Sequence, residues 1–138
     1  MRNPSPEEIA ELLRGSRNIA VVGLSDDPSR PSYDIARAMQ RHGFRIFPVN
    51  PTLDGPVLGE SPYASVTEIE EPVDIVDVFR RSDKVPPVAE DAVAAGARAL
   101  WMQLGVINEA AASHAAERGL TVISNRCIKV DYASLVGR

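Results

Sequence analysis

The sequence predicts an α/β domain built on a doubly wound, five-stranded, mainly parallel sheet with helices on both faces. Two observations predict it. Five short apolar runs alternate with segments that carry helical periodicity, as consecutive strand–helix units do. The first run ends in a glycine, the residue that lets a strand turn sharply into the loop before a helix. The length, 138 residues, fits a single domain over 1–138.

The elements follow in order. Ser5-Pro6-Glu7-Glu8 is a helix start: a serine cap, proline at the first helical position and acids in the first turn. Ile9, Leu12 and Leu13 form its apolar stripe, and Gly15 stops it. The run from Asn18 to Gly23 reads as a buried parallel strand, followed by a polar loop, Leu24 to Pro31. A helix starts near Ser32 and closes at His42-Gly43. Phe44 to Val49 is the second strand, ended by Asn50-Pro51, and residues 53 to 61 are loop, punctuated by Gly55 and Gly59. Val66 to Glu70 is a helical turn that Ser65 or Thr67 caps. Val73 to Phe79 is the third strand, Lys84 to Ala95 a helix, and Arg98 to Gln103 the fourth strand. Asn108 caps a helix through Arg118, Leu120 to Ser124 is the fifth strand, and a short helix begins near Val130 or Asp131. Right-handed crossovers make this a Rossmann-like arrangement with its switch point near the first strand.

Composition narrows the class of partner. A net charge of −4 argues against nucleic acid, whose phosphates attract basic surfaces, and leaves room for a local basic pocket. No apolar run is long enough for a membrane span and no signal peptide is visible, so the expectation is a cytoplasmic protein. A lone cysteine, Cys127, excludes an internal disulfide and a cysteine-rich metal site, and no metal is expected.

Ligands of such folds bind beyond the carboxyl ends of the strands, so the residues just past each strand carry the functional expectations. Gly23 lets backbone approach a phosphate, with the next helix aiming its amide N–H groups there. Ser25, Ser29, Arg30 and Ser32 can donate to phosphate oxygens, and Arg30 can instead pair with Asp26 or Asp27. Of Arg80 and Arg81, adjacent residues facing different ways, one is expected to contact an anion and the other to be a surface charge. The dinucleotide glycine fingerprint is missing after Gly23, and Asn50 stands where a nicotinamide-binding unit has Asp or Glu. The Walker pattern is missing too.

Catalytic groups are scarce, and no catalytic residue is assigned. His42 and His114 lie on helices away from strand ends. Asp74 and Asp77, an odd spacing apart, face opposite ways and do not form a carboxylate pair; Asp77 reads as structural. Trp101 reads as core. Cys127 lies past the fifth strand, where Arg126 or Lys129 would lower its pKa, although a packing role is the simpler reading.

The segments Val22-Gly23-Leu24-Ser25, Arg30-Pro31-Ser32-Tyr33, Pro48-Val49-Asn50-Pro51, Val73 to Arg80, Trp101 to Gly105 and Asn125-Arg126-Cys127, in this order, resemble the stand-alone CoA-binding domain family. That family is similar to the N-terminal domain of the succinyl-CoA synthetase alpha subunit. The resemblance implies a coenzyme A or acyl-CoA ligand. It implies that Gly23-Leu24-Ser25 and the next helix start hold the diphosphate, and that Val49-Asn50-Pro51 flank the adenosine. Val78-Phe79-Arg80 then lie under the ligand, with Gln103-Leu104-Gly105 and Asn125-Arg126-Cys127 at the cleft edge. The synthetase domain has a lysine soon after its Asn-Pro; here Thr52 and Leu53 follow, so reading of the CoA 3′-phosphate would fall to Arg30 or another cation. The synthetase's phosphohistidine domain has no counterpart in this chain, so the resemblance implies binding without ligation. The alternatives are a thiol-based redox sensor or enzyme that uses Cys127 with CoA, and a binder of another adenine nucleotide such as NAD. A homodimer or another protein partner is allowed.

Overall fold

Capping fixes the first helix. The computed structural model describes residues 2–137, and in it α1 spans Pro6–Arg14. Ser5 Oγ accepts from the Glu8 N–H at 3.2 Å, and Glu8 Oε1 accepts from the Ser5 N–H at 2.9 Å. The chain continues as β1 (Asn18–Val22), α2 (Pro31–Arg41), β2 (Arg45–Val49), β3 (Ile75–Val78), α3 (Val85–Ala94), β4 (Ala99–Met102), α4 (Glu109–Glu117), β5 (Thr121–Ile123) and α5 (Ile128–Asp131). Three-residue 3-10 turns lie at Val66–Glu68 and Ser82–Lys84, and a π turn at Tyr132–Val136 follows α5.

The strands form one sheet in the order β2-β1-β3-β4-β5, with every neighbouring pair parallel. The fold is the expected Rossmann-like α/β arrangement. From β1 the chain first adds β2 on one flank, then crosses back to add β3 on the other. The switch point therefore falls between β1 and β3, where loops diverge and leave a crevice. Val22 is in register with Val49 of β2 and Val78 of β3, so three strand ends meet at one level.

Strand side chains alternate between two apolar layers. Val76, Val78, Leu100 and Met102 face α3 and α4, packing on Val85, Val88, Ala89 and Ala111. Ile19, Val21, Ile75 and Trp101 face α1, α2 and α5, packing on Leu13, Met39 and Ile128. Asp77 interrupts this second layer. It stands in register between Val21 and Trp101 and is 1% exposed, and among the described residues its Oδ1 has no hydrogen-bond partner. Burial pushes its carboxyl well above the ordinary carboxylate range.

Three local expectations shift. The third strand begins at Ile75 and not at Val73, because Asp74 turns its carboxylate back to cap the Arg17 and Asn18 N–H groups at 2.8 and 2.9 Å. Neither Ser65 nor Thr67 caps a helix; their hydroxyls bond each other at 2.9 Å. The last helix starts at Ile128, earlier than Val130, because Gln103 Oε1 accepts the Ile128 N–H at 3.0 Å.

Candidate functional site

At the switch point the strand ends enclose a cleft of about 540 Å³. Gly23 forms its floor beside Val22, Val49 and Phe79. Asn50, Pro51 and Thr52 form one wall, and Ser65 and Val66 extend it. That wall is folded back by a bridge between Val49 and Tyr63, in which the Asn50 N–H donates to the Tyr63 carbonyl at 2.9 Å. The opposite wall is Arg80, Lys84, Pro87, Val88 and Asp91, from the 3-10 turn and the first turns of α3.

Two cations and one carboxylate thus share one wall of a small cleft in an acidic protein. Neither Arg80 nor Lys84 forms an ion pair among the described residues, whereas Arg81 is held by Asp83 at 2.8 Å on the surface. Burial, with Glu90 nearby, raises the Asp91 carboxyl above its ordinary value. The two cations suit the cleft to an anionic ligand. No histidine or cysteine is among its lining residues.

The loop after β1 is built from its own polar side chains. Ser32 Oγ accepts the Ser25 N–H at 3.0 Å, and Ser25 Oγ accepts the Asp27 N–H at 3.0 Å. Asp27 Oδ1 accepts both the N–H and the hydroxyl of Ser29, which holds the Asp27 carboxyl below its usual range. Asn50 joins this loop to β2: its Nδ2 donates to the Leu24 carbonyl at 3.1 Å, and its Oδ1 accepts from Thr52 N–H and hydroxyl at 3.0 and 2.8 Å. That side chain is committed to holding two loops together, which leaves it poorly placed to read a ribose as an acid would.

A second cavity of about 460 Å³ opens on the other side of Phe79 and Arg80, which line both. Its other walls are Pro31, Ile35, Gln103, Leu104, Val106 and Cys127. The loop carrying Cys127 is clamped from the sheet. Trp101 Nε1 donates to the Arg126 carbonyl at 2.9 Å, and Gln103 Oε1 holds the Ile128 N–H. Asn125 adopts a left-handed φ of 60° and its Oδ1 accepts the Gly105 N–H at 2.7 Å.

The structure therefore brings Gly23, Val49, Asn50, Pro51, Phe79 and Arg80 together in the first cleft, and Phe79, Arg80, Gln103 and Cys127 in the second. Leu24, Ser25, Ser29, Arg30, Ser32, Tyr33, Val78, Gly105, Asn125 and Arg126 line neither. Leu24 and Val78 are core, Ser32 is buried under its own loop, and Tyr33 packs beside Arg37. Among the described residues Arg30 makes no ion pair with Asp26 or Asp27, though its charge adds to the Ser29 hydrogen bonds in lowering the Asp27 carboxyl. Arg126 is locked to Asp131 by two bonds of 2.7 Å, and Lys129 to Asp34 at 2.9 Å. Neither is the free positive charge beside the Cys127 sulfur that the sequence suggested. Lys84, Thr52 and Ser65 were missed. The signal for Lys84 was its place one turn after Arg80, at the start of the helix that leaves the switch point.

Fold and cleft define a doubly wound α/β domain with its crevice at the switch between β1 and β3. The profile of the family described as CoA binding domain matches residues 17–133, and the chain belongs to that family. It is 50% identical over 133 residues to the uncharacterized protein YneT of Bacillus subtilis (strain 168), covering 96% of this chain and 98% of that one. It superimposes on a hypothetical protein from Pyrococcus horikoshii OT3 with a TM-score of 0.94 at 32% identity, covering 99% of this chain and 98% of the other. It also resembles the dinucleotide forming acetyl-coenzyme A synthetase 1 of Ca. Korarchaeum cryptofilum, solved with phosphate and ADP. There the TM-score is 0.68 at 30% identity, and the match covers 82% of this chain but 27% of the synthetase. Among the described residues no helix is long and apolar enough to cross a membrane, and no group of acidic, histidine or cysteine residues is arranged to hold a metal ion.

Proposed function

We propose that this chain binds coenzyme A or an acyl-CoA as a small cytoplasmic binding protein, with the 3′-phosphoadenosine and diphosphate in the cleft at the switch point. The observation that carries the reading is the pairing of Arg80 and Lys84 opposite Asn50-Pro51-Thr52, in a chain of the CoA-binding family. Lys84 supplies, from the third βα connection, the cation that Thr52 and Leu53 do not supply after the second strand. Chemistry is not part of the reading, because the cleft offers no activated nucleophile or histidine base.

Thermal melting with CoA and with NAD tests this. CoA at a hundred times its Kd stabilises a native-state binder by about 2.7 kcal/mol, which raises Tm by several degrees. A shift with NAD and none with millimolar CoA overturns the proposal.

A second reading is favoured by the position of Cys127, half-buried on the wall of the adjoining cavity. With CoA disulfide as oxidant, the Cys127 thiolate attacks one sulfur, forms a mixed disulfide and releases one CoA thiolate. Intact mass after incubation with CoA disulfide shows the CoA adduct on the native chain and none on Cys127→Ser. An equal adduct on both removes this reading.

A further inference from the structure

We infer that the cavity at the end of β4 takes the acyl group of an acyl-CoA, and that the side-chain amide of Gln103 donates to the thioester carbonyl. The inference rests on the CoA reading and adds the part of the ligand that distinguishes one CoA derivative from another.

The cavity and the nucleotide cleft share Phe79 and Arg80, so a ligand anchored in one reaches the other by passing a single pair of side chains. The chemistry of the two differs. The first has two cations. The second is walled by Pro31, Ile35, Phe79, Leu104, Val106 and the Cys127 thiol, with Arg80 at the shared edge. An apolar wall of this kind gains from burying hydrocarbon and gains little from a free thiol. Leu104, 70% exposed, stands at its rim.

Gln103 is the polar group set into that wall. It is 3% exposed, and its Oε1 is committed to the Ile128 N–H at 3.0 Å. With Oε1 held in that bond, the Nε2 donors are left for another acceptor. Among the described residues Nε2 donates to nothing. Asp77 Oδ1 is the fully buried side-chain polar atom without a partner among the described residues, so Nε2 is not sealed off in the core: Gln103 lines the cavity, where a ligand can meet the two donors of its primary amide. The missing complement is an acceptor with no proton of its own, attached to an apolar chain. A thioester carbonyl with its acyl group has that composition; a free thiol and a carboxylic acid do not.

The test is calorimetric titration of the native chain with CoA, butyryl-CoA and S-butyl-CoA, the thioether that keeps the chain and lacks the carbonyl. Burial of the butyryl carbons predicts butyryl-CoA about tenfold tighter than CoA. The Gln103 donor predicts the thioester about tenfold tighter than the thioether. Gln103→Met removes the second difference, and Ile35→Trp, which fills the cavity without touching Gln103's bond to Ile128, removes the first. Equal affinity of the native chain for CoA and butyryl-CoA overturns the acyl assignment, and equal affinity for thioester and thioether overturns the role of Gln103. Absence of binding by all three overturns the CoA reading itself.

Discussion

The carbonyl oxygen of Phe79 lies 2.5 Å from the point where a β-carbon on Gly23 would sit. Gly23 also has a φ of 88°, in the left-handed region. The glycine at the end of β1 therefore has a packing reason before any ligand is considered. Its missing side chain lets β3 run on past β1, and its N–H donates to the Val49 carbonyl at 2.8 Å, tying β2 to the same point. The floor of the cleft is this three-strand junction.

Gly23→Ala meets both obstacles at once. The left-handed conformation alone costs about 1–2 kcal/mol for a residue with a β-carbon, and the Phe79 carbonyl is backbone and cannot swing aside. Urea denaturation is expected to show a loss of more than about 2 kcal/mol, with any CoA affinity lost alongside. An unchanged midpoint contradicts the geometry.

Asp77 makes stability fall with pH. In the unfolded chain its carboxyl ionises near 3.8, while in the folded chain burial keeps it protonated to well above that. Folding therefore takes up a proton between those two values. Its contribution is complete below about pH 4 and is lost progressively as pH rises through the folded value, by up to about 1.4 kcal/mol per pH unit. Asp77→Asn, neutral at every pH, is expected to close that loss. Its stability relative to the native chain should rise from pH 4 to pH 7 in denaturant titrations. A difference between the two that does not change with pH contradicts this.

Lys84 is expected to separate CoA from dephospho-CoA. If its ammonium reads the 3′-phosphate, Lys84→Ala weakens CoA about tenfold, the weight of one charge-assisted hydrogen bond, and leaves dephospho-CoA nearly unaffected. The native preference should also shrink as salt rises from 50 to 500 mM. Equal weakening of both ligands by Lys84→Ala assigns the lysine to the diphosphate instead.

The parts of the fold that depend on local pattern were legible in the sequence. Ser5 and Asn108 cap the helices they precede, Asn108 Oδ1 accepting the Ala111 N–H at 2.9 Å, and all five apolar runs are strands. Trp101 is fully buried, and Arg81 is the surface partner of the Arg80-Arg81 pair. What depended on contacts between particular side chains was not legible. Lys84 reads as a helix start, and only the 3-10 turn from Ser82 and the close approach of residues 64–66 turn that segment into a cleft wall. Ser29 and Arg126 look like free donors in sequence, but Asp27 and Asp131, two and five residues away, absorb them. Short-range carboxylates of this kind decide whether a polar loop residue serves the loop or a ligand.

A competition titration among CoA, dephospho-CoA, NAD and ADP on the native chain tests the central claim most directly. CoA is expected to bind one to one and displace the others, with dephospho-CoA and ADP weaker and NAD without effect. NAD binding tightly while CoA fails to displace it would contradict the assignment of the switch-point cleft to coenzyme A.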